Sequence, residues 1–262
     1  MKEKVIIGLI FFILFSCKQN QEENNSTLKN EIPLQKKTIR SIGNYIHDIH
    51  PADSLCKANI QLAKSQIDSG KLYFTLQVGF GSYNTRQAKN LKKLCPKYGL
   101  HFSYEEITDF FKNEHDTPGC YGAYMDEAIE KKLGKNFRKK ILREADQLSI
   151  ANNDTIDAYE CDIKPKIVNI EDGGIYLPSK NLKVKKNKYG QLINLDVKFY
   201  IDKNGNPSGY KLYKYMDDNL DDERERLFPL VLTELIKYKN CTPGKILGRN
   251  VTTENMVIIN FQ

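Results

Sequence analysis

The apolar and polar positions divide the chain into unequal parts. Residues 5–15 are an apolar run behind Lys2 and Lys4, ending at Ser16 and Cys17. A spanning helix takes about 20 residues, so this run is too short to cross a bilayer comfortably and suits the core of an export signal. Residues 18–31, "KQNQEENNSTLKNE", hold no aromatic or β-branched apolar residue. Such a stretch has too little apolar surface to offset the entropy of ordering, and it reads as a flexible tether over residues 17–38.

From residue 39, helical and strand periods alternate. Leu55, Ala58, Leu62 and Ala63 fall at helical spacing ahead of Gly70, and "KLYFTLQVGF", residues 71–80, predicts a strand. Residues 84–100 predict a short helix broken near Pro96 and Gly99, and "YEEITDFFKNE", residues 104–114, a second. Met125, Ile129, Leu133, Phe137, Ile141, Ala145 and Leu148 recur at near-four spacing across Gly134, which predicts two helices or a bend. Residues 156–170 turn strand-like. Residues 171–191 are loop-rich, with lysines at 180, 183, 185, 186 and 188. A domain boundary is placed at 166–188, a linker or edge segment behind an α+β domain over 39–165.

In "VKFYIDKNGNPSGYKLYKY", residues 197–215, Val197, Phe199 and Ile201 point one way, and the turn at Lys203 to Asn206 supplies residues suited to positive φ. An acidic opening then leads a helix with Leu227, Leu230, Val231, Leu235 and Tyr238 on one side, which Pro229 should kink or restart. "VTTENMVIINF", residues 251–261, predicts a last strand. The fold class is α+β, and the C-terminal order is strand, strand, helix, strand.

Composition narrows the class. Hydrophobic residues make up 40% and charged residues 28%, as in a water-soluble body. Net charge is +7, and Lys2 and Lys4 against Glu3 account for one unit of it. The lysines are scattered, without a dense basic helix or an aromatic stacking platform, so nucleic acid is not an expected partner.

Two resemblances carry function. "LFSC" resembles the bacterial lipobox: Leu14, a small residue at Ser16, then Cys17, whose sulfur would take a diacylglyceryl group once residues 1–16 are marked for removal. At about 0.8 kcal/mol per buried methylene, two or three acyl chains give a lasting anchor. Residues 189–262 resemble the C-terminal domain of the TonB family. The residues that carry this are Phe199, Ile201, Asp202 and Gly205 in the hairpin, then Leu220, Asp221, Glu223 and Arg226 at the helix start. Pro243, Gly244, Lys245, Gly248 and Val251 follow, and Ile259, Asn260 and Phe261 end the set. The family usually has Trp before its Pro-Gly turn, where this chain has Cys241 and no Trp anywhere. An energy-transducing partner of outer-membrane receptors needs a spanning helix and a long stiff reach, whereas here a lipobox precedes a short tether. The resemblance instead implies a sheet edge that an extended partner segment joins as a further strand, with Val251, Thr253, Asn255, Val257 and Ile259, or the opposite register, as its candidates; the alternative is that residues 165–188 cover this edge and the domain is a stable spacer.

Cysteines and histidines suggest little chemistry. Export favours disulfides, and Cys56, Cys95, Cys120 and Cys161 allow three pairings, leaving Cys241 over. His115, Asp116 and Cys120 lie close in sequence, but a plain Pro118-Gly119 turn intervenes, and a Cys nucleophile usually meets its His through the fold. His47 and His50 lack an evident third metal ligand. Asp126, Glu127 and Glu130 are read as a solvated helix face. No catalytic residue, metal or cofactor is assigned, with residues 39–165 the place where an enzyme would be housed. The expectation is a non-catalytic protein of a Gram-negative envelope, of the Bacteroidota type by its Lys- and Asn-rich composition. It would be lipid-anchored at the outer membrane, facing the periplasm, and would bind or scaffold an envelope protein.

Overall fold

The computed structural model describes residues 42–79, 85–107, 114–167, 174–179, 182–187, 189–214 and 220–262. After one turn, α1 (Ile42–Tyr45), the Asp53 carboxylate accepts the Cys56 N–H at 2.8 Å and starts α2 (Ser54–Asp68). The first turn of a helix leaves its N–H groups without intrahelical partners, and this cap satisfies one of them. The face that α2 buries is Cys56, Ile60 and Ala63. Leu62, expected in the core with Leu55 and Ala58, is 52% exposed.

β1 (Tyr73–Val78) and β2 (His101–Glu106) pair in parallel, Tyr73 opposite His101 through Val78 opposite Glu106. They are joined through α3 (Ala88–Leu94) and a 3-10 turn that Gly99 ends at φ +67°. Tyr104, Glu105 and Glu106 are therefore strand, not the start of a helix; residues 108–113 of that expected helix lie outside the described residues. α4 (Cys120–Leu133) and α5 (Phe137–Ala151) part at Gly134, φ +100°. α4 lies over the sheet face that carries Thr75 and Glu105. On the other face, Lys92 of α3 reaches the Tyr104 ring and Arg138 of α5 the Phe74 ring. Phe74, Leu76, Leu91, Leu94, Met125, Ile129 and Ile141 fill the core between these layers.

The second sheet is built from β3 (Ile156–Asp157), β5 (Ile175–Leu177), β6 (Leu195–Ile201), β7 (Pro207–Leu212) and β11 (Thr253–Phe261). β7, β6 and β11 run side by side in antiparallel pairs, and α6 (Asp221–Leu235) covers one face. Between them come β4 (Lys166–Ile167) paired with β8 (Cys241–Thr242), and the hairpin of β9 (Gly244–Ile246) with β10 (Arg249–Val251). Val197, Phe199, Ile201, Val257 and Ile259 face Leu227, Val231 and Leu235 across a second core. α6 runs through Pro229 without a break. In the β6–β7 turn only Gly205 takes positive φ, +86°, while the Asp202 carboxylate accepts the Asn204 and Asn206 N–H groups, each at 2.8 Å. This is an α+β fold.

The two cores are not isolated from each other. Residues 40–262 form one compact unit, and β3, from the segment assigned to the first domain, pairs with β11 of the second. Ile156, Cys161, Ile246 and Val251 make a small core at that junction, and Arg86 bridges Asp146 at 3.0 Å and Asp162 at 2.9 Å.

Of the three possible pairings of four cysteines, the structure forms one bond, Cys56–Cys120, and leaves Cys95, Cys161 and Cys241 as thiols. The bond closes a sequence separation of 64, which in the chain-entropy account stabilises the folded state by about 4 kcal/mol. The double variant Cys56→Ser, Cys120→Ser should therefore lose about 2–5 kcal/mol in denaturant unfolding, with reductant weakening the wild-type chain but not the variant.

Candidate functional site

The disulfide brings the N-termini of α2 and α4 together. Each is a concentration of unsatisfied N–H groups and partial positive charge, so each calls for an anion. Asp53 answers on α2. Burial disfavours its charge, yet hydrogen bonds from the Cys56 N–H, Thr117 and Tyr45 outweigh that and hold the carboxyl below its ordinary value. α4 has no side-chain cap of its own, Gly119 standing there at φ +85°. Glu105 reaches across from β2 instead, and its two oxygens accept the Gly122 N–H at 3.1 and 3.2 Å. A Cβ on Gly122 would run into Glu105 Oε2 and sit 2.6 Å from Thr75 Oγ1, so only glycine lets strand and helix approach this closely. Burial pushes the Glu105 carboxyl above its ordinary range, helped by the charge of Asp126 and opposed by Gly122 and Gln77.

The two edges of this small sheet are treated differently. Beyond β1, Arg138 donates to the Thr75 carbonyl at 2.9 Å and to both oxygens of Asp126, each at 2.9 Å, closing that side. Asp126 is thus an internal partner rather than part of a solvated face. Beyond β2, no described strand follows. His101 and Ile107 direct their N–H groups to β1, onto the Leu72 and Val78 carbonyls, each at 2.8 Å. By the alternation of a parallel ladder, Phe102 and Glu106 turn their main-chain groups outward.

A cavity of about 780 Å³ runs along this edge. Ser103, Tyr104, Glu105 and Glu106 all line it, and since consecutive strand residues point to opposite faces, the space follows the strand's rim rather than one face. Leu55, Ala58 and Leu62 of α2 form the facing wall, and Tyr73, Tyr121 and Asp116 complete it. The Tyr121 hydroxyl donates to Gln66 Oε1 at 2.6 Å, and burial pushes its own ionisation up to about 12. A second cavity of about 580 Å³ shares Tyr104 and is lined beyond it by Lys89, Lys92, Lys93, Ile156 and Asp157.

Comparison with family models, curated proteins and solved structures finds no match to this chain. The site must be read from its own residues.

The edge expected on the last strand is covered at both of its ends. β11 pairs with β6 on one side. On the other, β3 covers Thr253 and Glu254, and β5 covers Ile259 to Phe261. Backbone from Gly174 crowds the Ile258 carbonyl, closing the gap from that end. The side chains of Val251, Thr253, Asn255, Val257 and Ile259 all turn inward and are buried. The correction is physical: an unpaired row of main-chain groups is covered by whatever chain is at hand, and here Ile156–Asp157 and Ile175–Leu177 supply it.

The residues of the family resemblance do structural work in the second sheet. Phe199 stacks on Tyr210 at 5.5 Å, Ile201 is fully buried, and Phe261 packs with them. Gly205 and Gly248 take positive φ, and a Cβ on Gly205 would collide with the Cys241 carbonyl. Gly244, which follows Pro243 in the turn, lies against Thr253 and Cys161. Leu220 stands at the N-terminus of α6, and Asp221 meets Arg224 at 3.3 Å. Glu223 and Arg226 pair at 2.6 Å, and the Arg226 guanidinium donates to the Leu182 and Lys183 carbonyls, fastening the lysine-bearing segment to the helix.

Cys17 lies outside the described residues. Cys120 is bonded to Cys56 and is not available as a nucleophile beside His115. Burial pushes the Cys95 thiol up to about 12 and the Cys161 thiol up to about 11. His50 stacks on His115 at 4.2 Å while His47 meets Glu127 at 3.2 Å, so His47 and His50 do not share a site. Among the described residues no three His, Cys, Asp or Glu groups converge to hold a metal.

Sequence reasoning missed Tyr104, Glu105 and the outward stripe of α2. The available signal was that α2 carries two apolar rows, Leu55 with Leu62 and Cys56 with Ile60 and Ala63, of which only one can face a core.

A carboxyl raised in the folded state stabilises the fold below its unfolded range and loses that contribution as pH rises through the folded value. Glu105, Asp126 and Asp146 are all raised, so their share of the stability should decline as pH rises from the ordinary carboxylate range toward neutrality, against the opposite trend of the lowered Asp53, Asp162 and Glu223. Glu105→Gln should flatten part of that decline, as read from denaturant midpoints at a series of pH values.

Proposed function

We propose that this chain is a lipid-anchored envelope protein that binds an extended segment of a partner protein and performs no chemistry on it. One observation carries the reading: among the described residues no strand lies beyond β2, and a cavity large enough for side chains runs beside it. Strand addition draws affinity from main-chain hydrogen bonds and selectivity from pockets for alternate side chains, and the outward turn of Phe102 and Glu106 beside the cavity supports that reading. The second sheet, which resembles the TonB C-terminal domain in its motif residues, then serves as a self-covered scaffold. The lipobox-like ending at Cys17 supports attachment at the outer membrane. Among the described residues no helix is long and apolar enough to cross a membrane.

A binding role without catalysis is supported by how the buried charges are spent. Glu105 is held by an N–H group, Asp126 by Arg138 and Asp146 by Arg86. Groups held this way are poorly placed to exchange protons with a substrate.

Two experiments test the parts separately. A photo-crosslinking residue at position 62, on the exposed wall of the cavity, should trap a discrete partner in intact cells. Glu106→Pro removes an outward N–H without touching the bonds of Glu105 and Ile107, and should lower that adduct at least tenfold while circular dichroism stays unchanged. Mass spectrometry of the membrane fraction should show a mature chain beginning at a diacylglyceryl-modified Cys17, and Cys17→Ala should move the protein out of that fraction.

A further inference from the structure

The geometry points to a second contact with the bilayer: the turn that precedes β6 seats on an anionic phospholipid surface. The inference rests on the lipid-anchored reading for the nearness of that surface, since the chain from Cys17 to Ile42 reaches about 90 Å at most. Lys186 and Leu192 form a bridge, and the Asn187 N–H donates to the Gln191 carbonyl at 2.8 Å. The Asn187 side-chain oxygen accepts the Tyr189 and Gln191 N–H groups at 2.9 and 3.1 Å, and Gly190 takes φ +79°. Tyr189 is thereby presented at a braced tip, 75% exposed. A tyrosine joins an apolar ring to a polar end, the combination that collects at the headgroup level of a bilayer.

The stem brings the charge. Leu182 and Val184 pack on the second core, while Lys183, Lys185 and Lys186 are exposed. Lys183 stands at φ +44°, a conformation that favours glycine, so a lysine is held there against the preference of its backbone. The carboxylates that open α6 beside this segment are mostly taken. Asp221 meets Arg224 at 3.3 Å, Glu223 meets Arg226 at 2.6 Å, and Glu225 pairs with Lys214, which leaves Asp222 exposed. Lys185 also faces Glu223, whereas Lys183 and Lys186 have no ion-pair partner among the described residues. An anionic leaflet attracts such a segment about fivefold per lysine, and salt screens the attraction. A dissolved polyanion would meet the lysines, but only a bilayer also gives the ring an apolar layer to enter.

The chain holds no Trp, so Tyr189→Trp makes the tip its sole indole. The full chain carrying that change is placed on vesicles of phosphatidylcholine alone and of phosphatidylcholine with a third of phosphatidylglycerol. Emission should move to the blue and be quenched by bromo-acyl lipid on the anionic vesicles only, and high salt should reverse both. Lys183→Gly with Lys186→Gln should lower the ratio of seated to unseated tips about twentyfold without lowering the denaturant midpoint, since glycine suits φ +44°. Lys185→Gln with Lys186→Gln serves the same purpose if that variant does not fold. An equal shift on neutral vesicles, or an equal shift in the lysine variants, would mark a contact indifferent to charge and overturn the inference. The same shift with dextran sulfate and no lipid would mark a polyanion site and overturn it too. Acylation of Cys17 is read by mass spectrometry on the same preparation. An unacylated chain that shifts on anionic vesicles overturns the anchor and leaves the turn's contact standing; an acylated chain that shows no shift does the reverse.

Discussion

The structure turns on a single covalent constraint, the bond between Cys56 and Cys120, because it forces two helix N-termini into one place. Two partial positive charges side by side are unfavourable unless each meets an anion, and the chain supplies Asp53 to one and Glu105 to the other. The second choice has consequences. Glu105 comes from a strand, so capping α4 fixes the face that β2 turns toward the helices, and Gly122 is required for the approach. The same bond fixes the rotation of α2. With Cys56 held inward, Ile60 and Ala63 follow it into the core, and Leu55 and Leu62 are carried to the rim of the cavity.

Edges tell the same story by contrast. β11 is covered by β3 and β5, and β1 is closed by Arg138 against Thr75. β7, at the far end of the second sheet, begins at Pro207, takes Gly209 through φ +65°, carries Lys211 and slips register against β6 between Lys198 and Tyr200. Proline, a bulge and an outward lysine are the usual ways of making an edge unfit for a new strand. β2 shows none of these: it is in unbroken register with β1, holds no proline or glycine, and among the described residues has a cavity rather than a further strand beside it.

Much of this was legible in the residues, and the failures share a cause. Local signals placed α4, α5, the β6–β7 hairpin and β11, since Gly134, the run from Val197 to Ile201 and the alternation up to Phe261 are decided by neighbours in sequence. Tyr104 to Glu106 was misread because "YEEITDFF" has good helical composition, and pairing with β1 across the intervening α3 overrides it. Pro229 looked like a break, but α6 is held by the packing of Leu227, Val231 and Leu235, and tertiary burial outweighs one lost backbone bond. Whether the β11 edge is open or covered by residues 165–188 was left undecided by the sequence for a third reason. Its covering strands, Ile156–Asp157 and Ile175–Leu177, are only two and three residues long, too short to announce themselves by periodicity.

The cysteines left over fit the same economy of placement. Cys95 and Cys161 are buried among apolar side chains, where desolvation disfavours the thiolate that disulfide exchange requires. One bond therefore forms where two helices need joining. The charged groups follow a parallel logic, since Asp126 with Arg138 and Asp146 with Arg86 join helix to helix or helix to loop. Among the described residues, a strand side left without such a partner is that of β2 facing away from β1, at Phe102 and Glu106.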